Sequence, residues 1–154
     1  MPYEVSKQTD NNVSRRKMKV QLDPGAYMPT RSHPTDAGAD LRTPYRFILR
    51  ANSRKVIDTG THFVIPAGYV GMVKSKSGLM TNEGIVTDGT VDSGYSGSVR
   101  VCLFNHSGKH RVFEKGEKIA QIVFLPIITP DFEQVYEITG GERSDNGFGS
   151  TGRF

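Results

Sequence analysis

The chain has 154 residues, enough for one domain with its own core and too few for two. It carries 17 glycines, 8 prolines, no tryptophan and a single cysteine, Cys102, which excludes a disulfide-stapled scaffold and favours a loop-rich β domain over a helical bundle. A net charge of +4 suits an anionic ligand without demonstrating nucleic-acid binding, and no apolar run approaches the ~18 residues of a membrane span.

Residues 1–17 read as a polar arm, with Lys7, Arg15, Arg16 and Lys17 as its cations. Composition predicts a flexible segment; the sharper reading is an arm that contacts a neighbouring subunit or a polyanion. Met1 to Lys19 lacks the apolar stretch of a signal peptide, so the cytoplasm is the expected compartment, the host's for a viral chain.

Residues 18–139 read as a β domain. Lys19 to Leu22 alternates polar and apolar before the turn Asp23-Pro24-Gly25. Thr61 to Ile65 and Tyr69 to Val73 flank the turn at Ala67-Gly68. Leu79 to Ile85 has room for a single helical turn. Ser98 to Asn105 is the clearest strand: Val99, Val101 and Leu103 share one face, and Arg100, Cys102 and Phe104 the other. A turn at Glu114 to Glu117 precedes Lys118 to Leu125, apolar on both faces for part of its length, as a buried strand is. Short strands punctuated by Gly and Pro predict a sandwich, jelly roll or small barrel. Residues 140–154 form a Gly-rich tail whose composition alone reads as disordered.

Phosphate-type features come next. Lys74-Ser75-Lys76-Ser77-Gly78 sets two cations and two hydroxyls beside a glycine, a pattern that suits an anion nest or, more plainly, a charged strand end with a turn. Gly147-Phe148-Gly149-Ser150-Thr151-Gly152 adds an aromatic free to lie over a flat ligand, with Arg143 upstream as a residue suited to bidentate phosphate binding. Asp92, in a Gly-rich stretch, is either an ordinary turn residue or a base that orients a water. The lone cysteine and four histidines have no zinc-ligand spacing, and no Walker-type loop is legible.

Taken in order, five segments resemble the motifs of the homotrimeric deoxyuridine triphosphatase (dUTPase) family. They are Ala37-Gly38-Ala39-Asp40-Leu41; Ser75 to Leu79; Gly89 to Gly97; Lys115 to Gln121; and Arg143 followed by Gly147 to Gly152. The resemblance implies an all-β, jelly-roll-like β-sandwich or barrel, a trimer with shared sites, and hydrolysis of dUTP to dUMP and pyrophosphate with Mg²⁺. That activity limits uracil incorporation into DNA and supplies dUMP for dTTP synthesis. It assigns Asp92 to the attacking water, and Lys76, Ser77, Gly78 and Gln121 to the phosphates. Arg143, Gly149 and Ser150 go to the outer phosphates and Phe148 to the uracil, on a tail that is mobile when empty and ordered over a neighbour's substrate. Gly89, Thr90, Val91 and the main chain at Arg100 would read the base from a hairpin, Tyr95 would pack on the deoxyribose, and Asp40 would meet Mg²⁺ through a water, the ion being held mainly by the triphosphate.

The sequence departs from the common family pattern in three places. Lys76 stands where Arg is usual, which keeps the charge and loses the guanidinium fork. The stretch from Leu79 to Gly89 is slightly shorter, leaving Thr87 or Asp88 as the side chain nearest the uracil's far edge. Ser144-Asp145-Asn146 occupies positions where Gly is common. The rival readings are a dCTP deaminase-like enzyme of similar architecture and a dUTP-gated regulatory binding protein whose N-terminal arm takes a partner. A nucleic-acid-binding β domain is disfavoured, because the aromatics do not interleave with the cations.

Overall fold

In the computed structural model, which describes residues 17–141, β-strands dominate. In chain order they are β1 (Val20–Leu22), β2 (Ala39–Arg42), β3 (Phe47–Leu49), β4 (Ser53–Asp58), β5 (Thr61–Phe63), β6 (Tyr69–Lys74), the helix α1 (Ser77–Glu83), β7 (Ile85–Val86), β8 (Asp88–Val91), β9 (Arg100–Asn105), β10 (Arg111–Phe113) and β11 (Lys118–Pro126). All pairings are antiparallel: a four-stranded sheet ordered β2-β11-β6-β8, a three-stranded sheet β4-β9-β7, and the ribbons β1-β5 and β10-β3.

The two larger sheets share one core. Leu41, Val73, Ala120 and Ile122 from the first meet Ile57, Ile85, Val101 and Leu103 from the second, all essentially buried. Alternation in β9 is as the sequence reading has it, with Val101 and Leu103 inward and Arg100, Cys102 and Phe104 outward. Phe113 closes one end, stacked on Phe47 at 4.8 Å between ring centroids, with the Arg111 guanidinium 4.5 Å over its face. This is the jelly-roll-type β fold that the resemblance implies.

The helix differs from the expectation. It begins at Ser77, earlier than Leu79, and runs seven residues to Glu83, so the Ser77-Gly78 pair forms its first turn. Leu79 anchors it to the core, and Gly84 ends it in the left-handed conformation (φ 66°), its amide donating to the Leu79 carbonyl. The last strand stops at Pro126, and 127–141 add neither helix nor strand. Along that stretch Ile127, Ile128, Phe132, Val135, Tyr136 and Ile138 are exposed. Residues 1–16 and 142–154, and with them nearly all of the arm and most of the tail, including Arg143, Phe148, Gly149 and Ser150, lie outside the described residues.

Candidate active site

Two polar clusters hold the predicted residues. The first gathers around Asp40 in β2. Its carboxylate is buried (side chain 6% exposed) yet bears two ammonium partners: Lys76 at one oxygen and Lys118, at 2.6 Å, at the other. Burial pushes the Asp40 carboxyl up, but the hydrogen bonds from Lys118 and Lys76 and their charge outweigh it and hold the group below its usual range.

Gln121, paired with Asp40 across the β11–β2 ladder, donates from Nε2 to the Ser75 carbonyl at 3.0 Å and so braces the segment that carries Lys76, Ser77 and Gly78. The carboxamide lies directly over Gly38; a methyl group there would stand 2.1 Å from its Oε1 and 3.1 Å from its Cβ, so any side chain at 38 would displace the Gln121 brace. Ser75 ties the same segment to Thr87: its hydroxyl accepts from the Thr87 amide and donates to the Thr87 carbonyl, both at 2.9 Å. The structure thus draws the first, second and fourth motifs together.

The second cluster lies where β8 and β9 part. β7 still pairs with β9, but after Thr87 the chain crosses to the other sheet, where β8 pairs with β6. The strands that flank the third motif are thus paired in different sheets, β8 with β6 and β9 with β4 and β7. Between them opens a cavity of about 190 Å³ lined by Thr90, Val91, Asp92, Tyr95, Val99 and Arg100. Gly89 sits one residue before that lining, opposite Val73.

The loop that carries Asp92 is tied at its far end and open at its near end. Ser98 donates from Oγ to Asp58 Oδ1 at 2.6 Å, and the Ser96 carbonyl lies 2.8 Å from His62 Nδ1, whose Nε2 meets Asp23 at 3.1 Å. Tyr95 folds back over Gly97 and donates its hydroxyl to the Ser98 carbonyl at 3.0 Å. The Ser98 and Gly60 donors, with the nearby Arg100 and His62 charges, keep the Asp58 carboxyl below its usual range against a smaller upward push from burial. Asp92 is exposed, and its carboxylate makes no hydrogen bond or ion pair with the described residues.

His62 is raised above its ordinary value by the Ser96 carbonyl first and Asp23 second. A raised folded value contributes stability that is complete below the unfolded value of about 6.5 and fades as pH climbs through the folded one. Wild-type melting temperature should therefore decline between about pH 6 and pH 8 more than that of His62→Gln. Parallel slopes in thermal melts of the two proteins would remove His62 as the fastening of this loop.

Of the two residues left open near the uracil's far edge, Asp88 is occupied on the outer face by Lys74, and Thr87 is buried with its hydroxyl unpartnered among the described residues. Neither lines the cavity. The sequence reading quotes Gly38 and Lys118 inside motifs without giving them work, assigns His62 an ordinary structural role, which its contacts with Ser96 and Asp23 fit, and passes over Asp58. Lys118 and Asp40 are far apart in sequence, and only the β11–β2 register makes them neighbours.

A family model described as dUTPase matches residues 25–152. The deoxyuridine 5'-triphosphate nucleotidohydrolase of Nocardia farcinica is 38% identical over 136 residues, covering 86% of this chain and 82% of that protein. Its counterpart in Streptomyces coelicolor is 38% identical over 147 residues, with 91% and 80% covered. Among solved structures, a dUTPase of Staphylococcus bacteriophage 80alpha with dUpNHpp superposes with a TM-score of 0.84 at 32% identity, covering 89% of this chain and 99% of that one. A dUTPase from phage phi11 of S. aureus, solved for the coordination of a structural Mg(II) ion, gives 0.74 at 30% identity, covering 79% and 98%.

Proposed function

Since the chain belongs to the dUTPase family, we propose that it hydrolyses dUTP to dUMP and pyrophosphate, with Asp92 as the general base. The observation that carries this reading is the cavity between β8 and β9, where an unengaged carboxylate stands beside Tyr95. A carboxylate with no internal partner is free to accept a water's proton as the water attacks the α-phosphorus. The bond to the bridging oxygen then breaks, and the electron pair leaves with pyrophosphate.

Main-chain groups of Gly89, Thr90, Val91 and Arg100 read the base between the parted strands, and a thymine is rejected at its 5-methyl group. A cytosine edge would leave buried donors and acceptors mismatched. Tyr95 takes the deoxyribose and excludes a 2′-hydroxyl. Lys76, Ser77, Gly78 and Gln121 take phosphate oxygens and stabilise the charge that develops on the leaving group. Arg143, Gly149 and Ser150 complete the phosphate contacts from a neighbour's tail, and Phe148 covers the uracil and excludes bulk water.

Among the described residues no three acidic or histidine side chains are grouped as metal ligands, and Asp40 is the buried carboxylate of the phosphate cluster. A lone carboxylate fits Mg²⁺ that would be held mainly by triphosphate oxygens and waters, and Asp40 would meet it through one such water. Bound there, the ion supplies charge neutralisation.

The phosphate cluster and the cavity are read here as parts of sites assembled between copies, as the family resemblance implies. The exposed apolar side chains from Ile127 to Ile138 supply a surface for that association. A homotrimer is the assembly we assign.

The test is a nucleotide panel monitored for pyrophosphate. We expect release from dUTP with Mg²⁺ and hardly any from dTTP, dCTP or UTP. Equal turnover of all four would sink the specificity, and ammonia release from dCTP would favour the deaminase. Solution mass checks the trimer.

A further inference from the structure

The cluster around Asp40 contains one cation more than the reaction above employs. We propose that Lys118 is a second phosphate-binding cation, acting beside Lys76 on oxygens of the di- or triphosphate chain, and that a β-bulge at Ile119 aims it there. This assignment rests on the phosphate-site reading.

The bulge is in the register. Lys118 pairs with Arg42 and Ala120 with Leu41, so Ile119 is an extra residue with no partner of its own in β2. In a regular strand, residues three apart point to opposite faces, and Lys118 would face away from Gln121. The inserted residue cancels that alternation. Ile119 and Ala120 are consecutive and both fully buried, while Lys118 and Gln121 are both half-buried on the Asp40 side. A distortion that turns a cation toward Gln121 and Asp40 is the kind of feature that recurs beside active sites.

Charge arithmetic supports the same role. One carboxylate neutralises one ammonium, and Lys76 alone suffices for Asp40. The second lysine leaves the group with a net positive charge. Each ammonium has three donors and gives one to Asp40, and the two side chains are 29% and 35% exposed, so neither lysine is sealed inside the core. The side chains gathered here, Asp40, Ser75, Lys76, Lys118 and Gln121, are all polar. They match phosphate oxygens better than a base or a sugar. Asp40 holds both ammoniums in place before the anion arrives, which lowers the ordering cost of binding.

The experiment uses the full chain and three probes: a non-hydrolysable α,β-imido analogue of dUTP, dUMP, and inorganic tripolyphosphate. Lys118→Met should weaken the imido analogue and tripolyphosphate by about tenfold or more and leave dUMP within about twofold. Lys118→Arg should recover most of the loss. For turnover, the methionine variant should raise KM more than it lowers kcat. Equal weakening of all three probes, or lost thermal stability with unchanged tripolyphosphate affinity, would reduce Lys118 to a structural partner of Asp40 and overturn the proposal. If the methionine variant fails to fold, Lys118→Gln with the same probes decides. A wild type that ignores the nucleotides but binds tripolyphosphate through Lys118 would sink the dUTP reading and leave this assignment standing.

Discussion

Asp92→Asn is expected to bind dUTP as the wild type does and to lose about 10²–10⁴-fold in kcat, the usual worth of a positioned general base. The amide keeps the shape of the carboxylate and cannot take up a proton from the attacking water. Asp92 is exposed and its carboxylate bonds to none of the described residues, so the exchange breaks no side-chain contact there and the melting temperature should stay put. Calorimetric titration with the imido analogue and a pyrophosphate-release assay on the same preparation separate binding from chemistry. Full activity in the variant would remove Asp92 from the mechanism.

The second large effect belongs to Asp40→Asn, and it should appear in stability as well as in turnover. The buried carboxylate balances Lys76 and Lys118, and its amide replacement leaves two ammoniums with no counter-charge between them. Breaking a buried pair costs about 3–5 kcal/mol, and the partial exposure of both lysines lowers the expectation to roughly 2–3 kcal/mol. The pH dependence is specific. The folded carboxyl lies below its usual range, because the lysine hydrogen bonds and charges overcome burial. The stabilisation is therefore complete above the unfolded value of about 3.9 and is lost as pH falls through the folded value. Thermal melts at neutral pH should separate wild type from variant widely, and the gap should narrow as the solution is acidified below about pH 4. A gap constant with pH would mean that the Asp40 charge is not what stabilises the site.

How much of this was legible in the sequence varied with the reach of the interactions. β9 and β11 announced themselves because Val99, Val101 and Leu103 alternate with outward residues, and because Ile119-Ala120 and Ile122 to Leu125 make Lys118 to Leu125 apolar on both faces for most of its length, with only Gln121 between them. β4 did not, since its sequence Ser53 to Asp58 buries only Ile57 and exposes Arg54, Lys55 and Val56. β7 has two residues and no pattern to read. The helix was placed late because Ser77-Gly78 looks like a turn, whereas burial of Leu79 and the left-handed stop at Gly84 decide the matter. Motif order pointed to Asp40, Lys76 and Gln121, but the sharing of Asp40 between two lysines needs the β2–β11 register, and no local pattern contains it. The parting of β8 from β9 was likewise hidden, because it depends on which sheet each strand joins.

The bare apolar stretch from Ile127 to Ile138 has a practical corollary. If neighbours cover it, dilution strips the cover. Ordinary proteins precipitate as they are concentrated; this one should adhere to vessel walls and to other polypeptides when it is scarce. Specific activity measured at trace enzyme levels would then understate the catalyst, and a carrier protein or detergent added to the assay would change the reading for reasons unrelated to chemistry.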